Sequence, residues 1–201
     1  MRRPAPFAQT TAVLALVATL VCAGVAAQAR ADSSHPDYTA ADVHFMSGMI
    51  YHHAQAVLMA GWASSHGAGP SVGVLCDRIV VSQRDEIALM QRWLQARHED
   101  APDPDAMPGM HPAMMMPGML TPDQLAQLDH ARGPEFDELF LRFMIQHHKG
   151  AITMVNELFA QGAGEQERVF RFASDVFADQ STEIERMRKM LTALLSEAHG
   201  Q

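Results

Sequence analysis

The stretch FMSGMIYHHAQAVLMA, residues 45–60, sets two adjacent histidines among methionines on a segment with helical hydrophobic spacing. Residues 140–155 read FLRFMIQHHKGAITMV and repeat most of that pattern at a constant offset of 95. Five positions of a following segment, from Gln83 to Leu94, recur from Gln180 to Leu191 at an offset of 97. Two such matches in the same order indicate an internal duplication of a helix pair.

Glycine and proline divide the chain into helical stretches, and almost no strand pattern is present. Apolar spacing and capping residues predict helices over about 40–66, 72–98, 121–131, 134–161 and 165–197. Long helices joined by short loops pack as antiparallel neighbours. The sequence therefore predicts an all-α fold. We expect an up-down four-helix bundle formed by two duplicated helical hairpins, with a Met/Pro-rich loop between them.

The first 31 residues have the pattern of a signal peptide. Arg2 and Arg3 precede an apolar run, and small residues at 27–31 offer a cleavage site. An uncleaved membrane anchor is the alternative, because the run approaches the length of a membrane span. We expect an exported chain, periplasmic or secreted and free of the membrane after cleavage, in which residues 32–201 form one domain. Its predicted parts are repeat one at 40–98, a Met-rich linker at 99–120, a short helix at 121–131 and repeat two at 135–197.

The charge of the predicted mature chain limits its partners. Without residues 1–31, 12 lysines and arginines face 23 acidic residues, a net charge near −11 with neutral histidines. That excess argues against nucleic acid and anionic membranes as partners and favours cations. Cys76 is the one cysteine left in residues 32–201, so no intramolecular disulfide can form. We expect Cys76 to be a small buried residue.

A helical wheel places the repeated histidines and methionines on one core-facing arc. Brought face to face, the two histidine helices present up to four imidazoles and four thioethers to one cavity, with Ala56 and Ala151 leaving room. Buried ring nitrogens without partners cost about 1–3 kcal/mol each, so the repeated pattern favours a metal site. The candidate ligands are His52, His53, His147, His148, Met49, Met59, Met144 and Met154.

Each of these residue types also has an ordinary structural role. A methionine on an amphipathic helix is usually a flexible core filler. A buried histidine is usually hydrogen-bonded to a carboxylate or a carbonyl. The acidic residues able to serve as such partners are Asp42, Glu86, Asp137 and Glu183. Five further histidines are expected at solvated ends of segments: His35, His66, His98, His130 and His199.

The ligand types select the metal. Thioether sulfur is soft and needs no deprotonation, which suits Cu(I) and Ag(I), whereas imidazole also accommodates Cu(II). Zinc prefers thiolate, imidazole and carboxylate, and magnesium or calcium prefers oxygen. Copper, in the first place as Cu(I), is therefore the predicted ion.

A second methionine-rich segment, DPDAMPGMHPAMMMPGML at residues 103–120, contains four prolines and so cannot form a regular helix. Its candidate ligands are Met110, His111, Met114, Met115 and Met116. Two interpretations stay open. The segment is either a second soft-metal site or an adaptable apolar lid over the end of the bundle.

Taken together, the repeated motifs resemble the family catalogued as DUF305. Their pattern is Asp-x-x-Phe-x-x-x-Met-Ile-x-His-His-x-x-Ala-x-x-Met at 42–59 and 137–154, followed by Gln-x-x-Glu-Ile-x-x-Met at 83–90 and 180–187. The resemblance covers nearly the whole predicted mature chain. It implies a ferritin-like helical bundle that binds copper, and in some members silver, through histidine and methionine, in metal tolerance outside the cytoplasm.

Three classes of function compete. The first is a binding protein, not an enzyme, that sequesters copper or transfers it to another periplasmic copper-handling protein. The second is a ferritin-like metal-dependent oxidoreductase, but di-iron proteins of that kind use Glu-x-x-His, where this chain has Met-x-x-His at 49–52 and 144–147. The third is a bundle that binds no metal. We expect the first.

Overall fold

A computed structural model describes residues 37–105 and 116–199. Across these two ranges the chain is helical and contains no strand, so the predicted all-α class is confirmed. All the helices belong to one compact unit, Tyr38–Gln201. They are α1 (Ala40–Gly61), α2 (Pro70–Gln95), α3 (Pro122–His130), α4 (Pro134–Ala160) and α5 (Glu167–His199). The signal-peptide prediction concerns residues outside the described ranges.

Local sequence sets the starts of the helices. Thr39 caps α1 and forms a capping box with Asp42, and Thr121 caps α3 in the same way with Gln124. Proline stands at the first helical position of α2, α3 and α4, where its missing N–H removes no helical hydrogen bond. The helix α1 ends at Gly61 rather than near residue 66, because residues 62–67 form turns.

The long helices pack in pairs. The helix α1 packs along α2, α4 packs along α5, and α1 and α4 also contact each other, while α3 packs against α4. The apolar core has two parts, which we call the Phe140 cluster and the Phe45 cluster. The first includes Met59, Leu75, Ile79, Phe140, Met144 and Met187. The second includes Phe45, Met49, Met90, Met154, Phe172 and Val176.

A polar layer lies at the boundary between these two clusters. It contains buried side chains from all four long helices, and each of them is at most 3% exposed. On α2, α4 and α5 they fall between positions of one cluster and positions of the other. The residues of this polar layer are His52, His53, Gln83, His147, His148 and Gln180.

Two buried aspartates link each helix pair to the turn of the other. Asp42 on α1 accepts a hydrogen bond of 2.7 Å from the backbone N–H of Gly164, in the segment between α4 and α5. Asp137 on α4 accepts from the N–H of Gly69, which precedes α2, at 3.0–3.1 Å. Both residues were candidate partners for the histidines, and their carboxylates instead satisfy these backbone groups.

His66, at the end of the first predicted helix, is buried, although it was expected at a solvated helix end. His66 is 4% exposed rather than solvated. Its Nε2 lies 2.9 Å from the carbonyl oxygen of Asp129 and 3.1 Å from that residue's Oδ1. The ring also packs on Trp62 and Phe136, with centroids 5.7 and 5.2 Å away. The prediction for His66 was wrong because the turns after α1 fold it back onto α3 and α4.

Two further features concern cysteine and membranes. Cys76 is buried, and burial raises the pKa of its thiol to about 12. Within the described part of the chain, no helix has the length and apolar character to cross a membrane.

We expect the Asp42→Ala substitution to lower the free energy of unfolding by about 1–3 kcal/mol, because it leaves the buried Gly164 N–H without its acceptor and removes half of the capping box. Urea denaturation measures the change. Asp85→Ala is the matched control, since Asp85 is exposed on α2, and it should stay within about 0.5 kcal/mol of the parent. Equal effects of the two substitutions would contradict the role given to Asp42.

Candidate metal centre

Four imidazoles form a continuous row through the polar layer. All four histidines of the repeated motif are 0% exposed. The rings of His52 on α1 and His147 on α4 are in direct contact, with centroids 3.8 Å apart. Each is flanked by its sequence neighbour, His53 at 6.4 Å and His148 at 6.2 Å. The structure therefore brings the four candidate histidines together.

Carboxylates fix the two outer rings of this row. His53 Nε2 donates a hydrogen bond of 2.5 Å to Oε2 of Glu86 on α2, and His148 Nε2 donates one of 2.7 Å to Oε2 of Glu183 on α5. A carboxylate accepts but does not donate, so Nε2 carries a proton in both rings, and the neutral form of each ring has its lone pair on Nδ1. This is the arrangement by which proteins orient histidines that bind metals.

A backbone carbonyl fixes the third ring. His52 Nε2 donates to the carbonyl oxygen of Pro117 at 3.1 Å, which again leaves the lone pair on Nδ1. The segment that carries this carbonyl is clamped by Gln55, whose amide bonds both the N–H and the carbonyl of Leu120 at 2.7 and 3.1 Å. Gln146 on α4 adds a bond of 3.3 Å to the carbonyl of Gly118.

The close approach of that segment to α4 requires glycine on both sides. A Cβ added to Gly150 would lie 1.8 Å from the carbonyl oxygen of Pro117 and 2.6 Å from the Cα of Gly118. Gly118 itself has a φ of +76°, which side chains disfavour. Gly150 thus permits Pro117 to reach His52.

Five ring nitrogens of the row have no hydrogen-bond partner among the described residues. They are Nδ1 of His52, His53 and His148 and both nitrogens of His147. Burial, reinforced by the neighbouring imidazoles, lowers the pKa of His52 to about 3 and holds the pKa of His147 well below 6.5. Both rings are therefore neutral near pH 7, which is the form that binds metals.

The candidate methionines lie on both sides of this row rather than in a single group. Met49 and Met154 belong to the Phe45 cluster, and Met59 and Met144 belong to the Phe140 cluster. All four are at most 9% exposed. Each half of the core thus contains two of the candidate thioethers, one from α1 and one from α4.

Met116, in the Met-rich linker, packs against the Phe45 cluster. Met116 and Met154 meet at Gly48, where an added Cβ would lie 3.4 Å from Met116 Sδ and 3.5 Å from Met154 Cε. These residues and His44 line a small cavity of about 90 Å³. The other linker candidates, Met110, His111, Met114 and Met115, lie outside the described residues.

Several residues of this site were not singled out from the sequence. Pro117 supplies a backbone carbonyl and Gly150 supplies space, and neither contribution depends on a functional side chain. Gln83 and Gln180 were recognised as repeated positions, and their recurrence with the histidines was the available sign that they belong to the site.

No group of three or more His, Cys, Asp and Glu side chains within the described ranges is arranged to hold a metal ion by itself. A metal at the histidine row therefore needs donors of another type. Thioether sulfur is the donor that the surrounding core provides.

Comparison with known proteins identifies the family of this chain. The family described as a domain of unknown function, DUF305, matches residues 42–191, so the chain belongs to the DUF305 family. Among curated proteins, none matches the chain.

Solved structures of similar fold include several DUF305 proteins. A DUF305 fragment from Deinococcus radiodurans has a TM-score of 0.67 at 30% identity, covering 79% of this chain and 99% of the other. CopM in its Cu(II)-bound form has a TM-score of 0.63 at 30% identity, covering 76% and 96%. A DUF305 protein from Streptomyces coelicolor has a TM-score of 0.67 at 25% identity, covering 77% and 93%. CopM is also known in Cu(I)-bound and Ag-bound forms, with TM-scores of 0.58–0.59.

We expect Gly150→Ala to destabilise the protein by about 1–3 kcal/mol, although alanine favours helices, because its methyl group displaces the Pro117 carbonyl from His52. Urea denaturation measures the effect. Gly73→Ala on α2 is the matched control, since an added Cβ there meets nothing within 4 Å. It should stabilise by about 0.5–1 kcal/mol. The two substitutions should differ in sign, and stabilisation by both would contradict the close approach.

Proposed function

We propose that this protein binds copper as Cu(I) in the histidine row and holds it for sequestration or transfer, without catalysing a reaction. The observation that carries the proposal is the set of five buried ring nitrogens that have no hydrogen-bond partner in the described part of the chain. Each such group costs about 1–3 kcal/mol unless something satisfies it. A metal ion bound to two of these nitrogens would satisfy both at once.

The donor set fits a soft ion. The hydrogen bonds to Glu86, Glu183 and Pro117 leave lone pairs on Nδ1 of three histidines. We infer that Met49, Met59, Met144 and Met154 complete the ligand set around His52, His53, His147 and His148. Neutral imidazole and thioether ligands suit Cu(I) and Ag(I), and imidazole alone also accommodates Cu(II).

We further propose that the linker methionines form an outer group of soft donors. Met116 and Met154 already meet beside Gly48, at a cavity that His44 also lines. Met110, His111, Met114 and Met115 would extend this group from the same linker. The alternative role of the linker, as an apolar lid, requires that its thioethers do not change copper binding.

Similarity to CopM supports the choice of ion. CopM has been solved with Cu(II), Cu(I) and Ag bound. Its identity to this chain is 26–30% over about three quarters of the sequence, so the argument for copper rests on this chain's own donors as well.

Two duplicated hairpins explain how these donors come together. We infer that α1 with α2, and α4 with α5, are the two copies within a ferritin-like four-helix bundle, with residues 32–201 as one domain. Three pairs of equivalent residues make equivalent contacts: Asp42 and Asp137 hold opposite turns, and His53 and His148 bond Glu86 and Glu183.

The proposed setting is outside the cytoplasm. The sequence pattern of residues 1–31 favours export to the periplasm or secretion, and an exported copper carrier would pass its ion to another periplasmic copper-handling protein. The acidic charge favours cations over nucleic acid or anionic membranes as partners.

An oxidoreductase of the di-iron type fits less well. Such a centre needs carboxylates that bridge two metal ions. Here Glu86 and Glu183 each bond an imidazole, and positions three residues before His52 and His147 are methionines. Thioethers do not supply the bridging oxygens.

We expect Met49→Leu to lower Cu(I) affinity by at least about tenfold, the scale found for groups that merely support a metal ligand. Titration of Cu(I) against a competing chelator measures it. Met46→Leu is the matched control. Met46 is also 0% exposed on α1, but it aligns with Leu141 in the second repeat and is not a proposed ligand.

Both substitutions nearly conserve volume, so each should change stability by less than about 1.5 kcal/mol. A fall in Cu(I) affinity confined to Met49→Leu supports the proposal. Equal affinities for the parent and both variants, or no Cu(I) binding by the parent, would refute it.

A further inference from the structure

Three residues of α1 form a stripe that runs from the surface to the histidine row. His44, Gly48 and His52 follow one another at intervals of four residues, so they lie on the same face of the helix. His44 is exposed, whereas Gly48 and His52 are buried. The rise of an α-helix places the two histidines about 12 Å apart along its axis. The stripe therefore connects solvent with the proposed copper site.

Gly48 leaves a gap in this stripe, and two thioethers occupy it. A Cβ added to Gly48 would lie 3.4 Å from Met116 Sδ and 3.5 Å from Met154 Cε. These residues line the cavity of about 90 Å³, here called the Gly48 cavity, together with His44 and Pro117. Soft donors are thus present between the outer and the inner histidine of α1.

Met154 is the most exposed of the four core methionines proposed as ligands. It is 9% exposed, whereas Met49, Met59 and Met144 are 0% exposed. Met154 also follows His147 by seven residues, which places it two turns further along the same face of α4. The core thioether closest to solvent therefore lines the Gly48 cavity, on a face that leads to the row.

The second repeat has other residues at the equivalent positions. At the offset of 95, His44 corresponds to Leu139 and Gly48 corresponds to Phe143. Both of these side chains are partly buried and pack against the Phe140 cluster. Leucine and phenylalanine supply no metal donor and leave no gap. In the described part of the chain, the approach along the helix is therefore open to His52 and closed to its counterpart on α4.

A second cavity borders the row, but its lining suits a soft cation less. This cavity of about 200 Å³ is lined by Glu86 and Glu183, the carboxylates that hold the two outer imidazoles. Its described lining contains no thioether and includes Arg78, whose charge repels cations. The described lining of the Gly48 cavity contains no lysine or arginine, and the exposed Glu157 attracts cations to it. Copper is therefore better matched to the Gly48 cavity.

We propose that copper enters and leaves the histidine row along α1, and that the exposed His44 is the first ligand it meets. The ion passes from the imidazole of His44 to the thioethers of Met116 and Met154, and from these to His52. Imidazole and thioether are both ligands of Cu(I), so donors can be exchanged one at a time. The route rests on the proposed copper site. It adds residues that control the rates of binding and release rather than the affinity.

Stopped-flow transfer of Cu(I) between its coloured bicinchoninate complex and the full chain tests the route. His44→Leu places at this position the residue type that the second repeat has there. We expect it to slow both association and dissociation of Cu(I) by about tenfold, the scale found for groups that support a metal site. A group used only during passage changes the barrier in both directions equally, so the equilibrium affinity should stay within about twofold of the parent.

His130→Leu is the matched control. His130 is an exposed histidine on α3 that does not line the Gly48 cavity, so its substitution should change each rate by less than about twofold. Met116→Leu tests the thioethers. It nearly conserves volume, and it should slow association and dissociation as His44→Leu does.

The route and the copper site can fail separately. Equal rates for the parent, His44→Leu and His130→Leu would overturn the route and leave the site intact. A lower affinity of His44→Leu at an unchanged association rate would also overturn the route, because His44 would then hold the stored ion. No Cu(I) binding by the parent would refute the copper site and the route with it.

Discussion

The structure depends on a buried layer of polar side chains that separates two apolar clusters. Four imidazoles and two amides occupy positions where aliphatic residues would pack at no electrostatic cost. Three imidazoles are only half satisfied, and His147 has no partner among the described residues. These unsatisfied groups lower the free energy of unfolding. An ion that binds only the folded state would raise it again.

The two repeated sequence segments make matching contacts. An imidazole of each segment bonds a carboxylate on the helix that follows it, and an aspartate of each segment accepts a hydrogen bond from the turn of the other helix pair. The two segments differ at the inner imidazoles, because His52 bonds the Pro117 carbonyl and the ring nitrogens of His147 have no equivalent bond among the described residues. The last residues of the Met-rich linker therefore make the centre asymmetric, and Pro117 connects the linker to the buried row.

Much of the fold could be predicted from the sequence, because helix ends and buried faces are local properties. Thr39, Thr121 and the prolines at helix starts marked boundaries, and apolar spacing placed both histidine pairs on buried faces. Partners were harder to predict. The sequence offered Asp42 and Glu86 alike as partners for the histidines, but only contacts in three dimensions separate the residue that holds a turn from the one that holds His53.

Other features left no side-chain pattern to interpret. The carbonyl of Pro117 lies 65 residues from His52 in the sequence, and any residue type supplies a carbonyl. In the sequence, Gly150 looks like an ordinary helical glycine. Only its contact with Pro117 and Gly118 shows that the position has no room for a side chain. The candidate metal ligands remain predictions. The geometry brings the imidazoles together, and the identity of a bound ion has to be measured.

X-ray absorption at the copper edge, on the Cu(I)-loaded full chain, tests the central claim most directly. It counts the sulfur and nitrogen neighbours of the ion and reports its oxidation state. The account predicts Cu(I) with both imidazole nitrogen and thioether sulfur in its first coordination shell. A shell of oxygen and nitrogen alone, or one of sulfur alone with no imidazole, would contradict it.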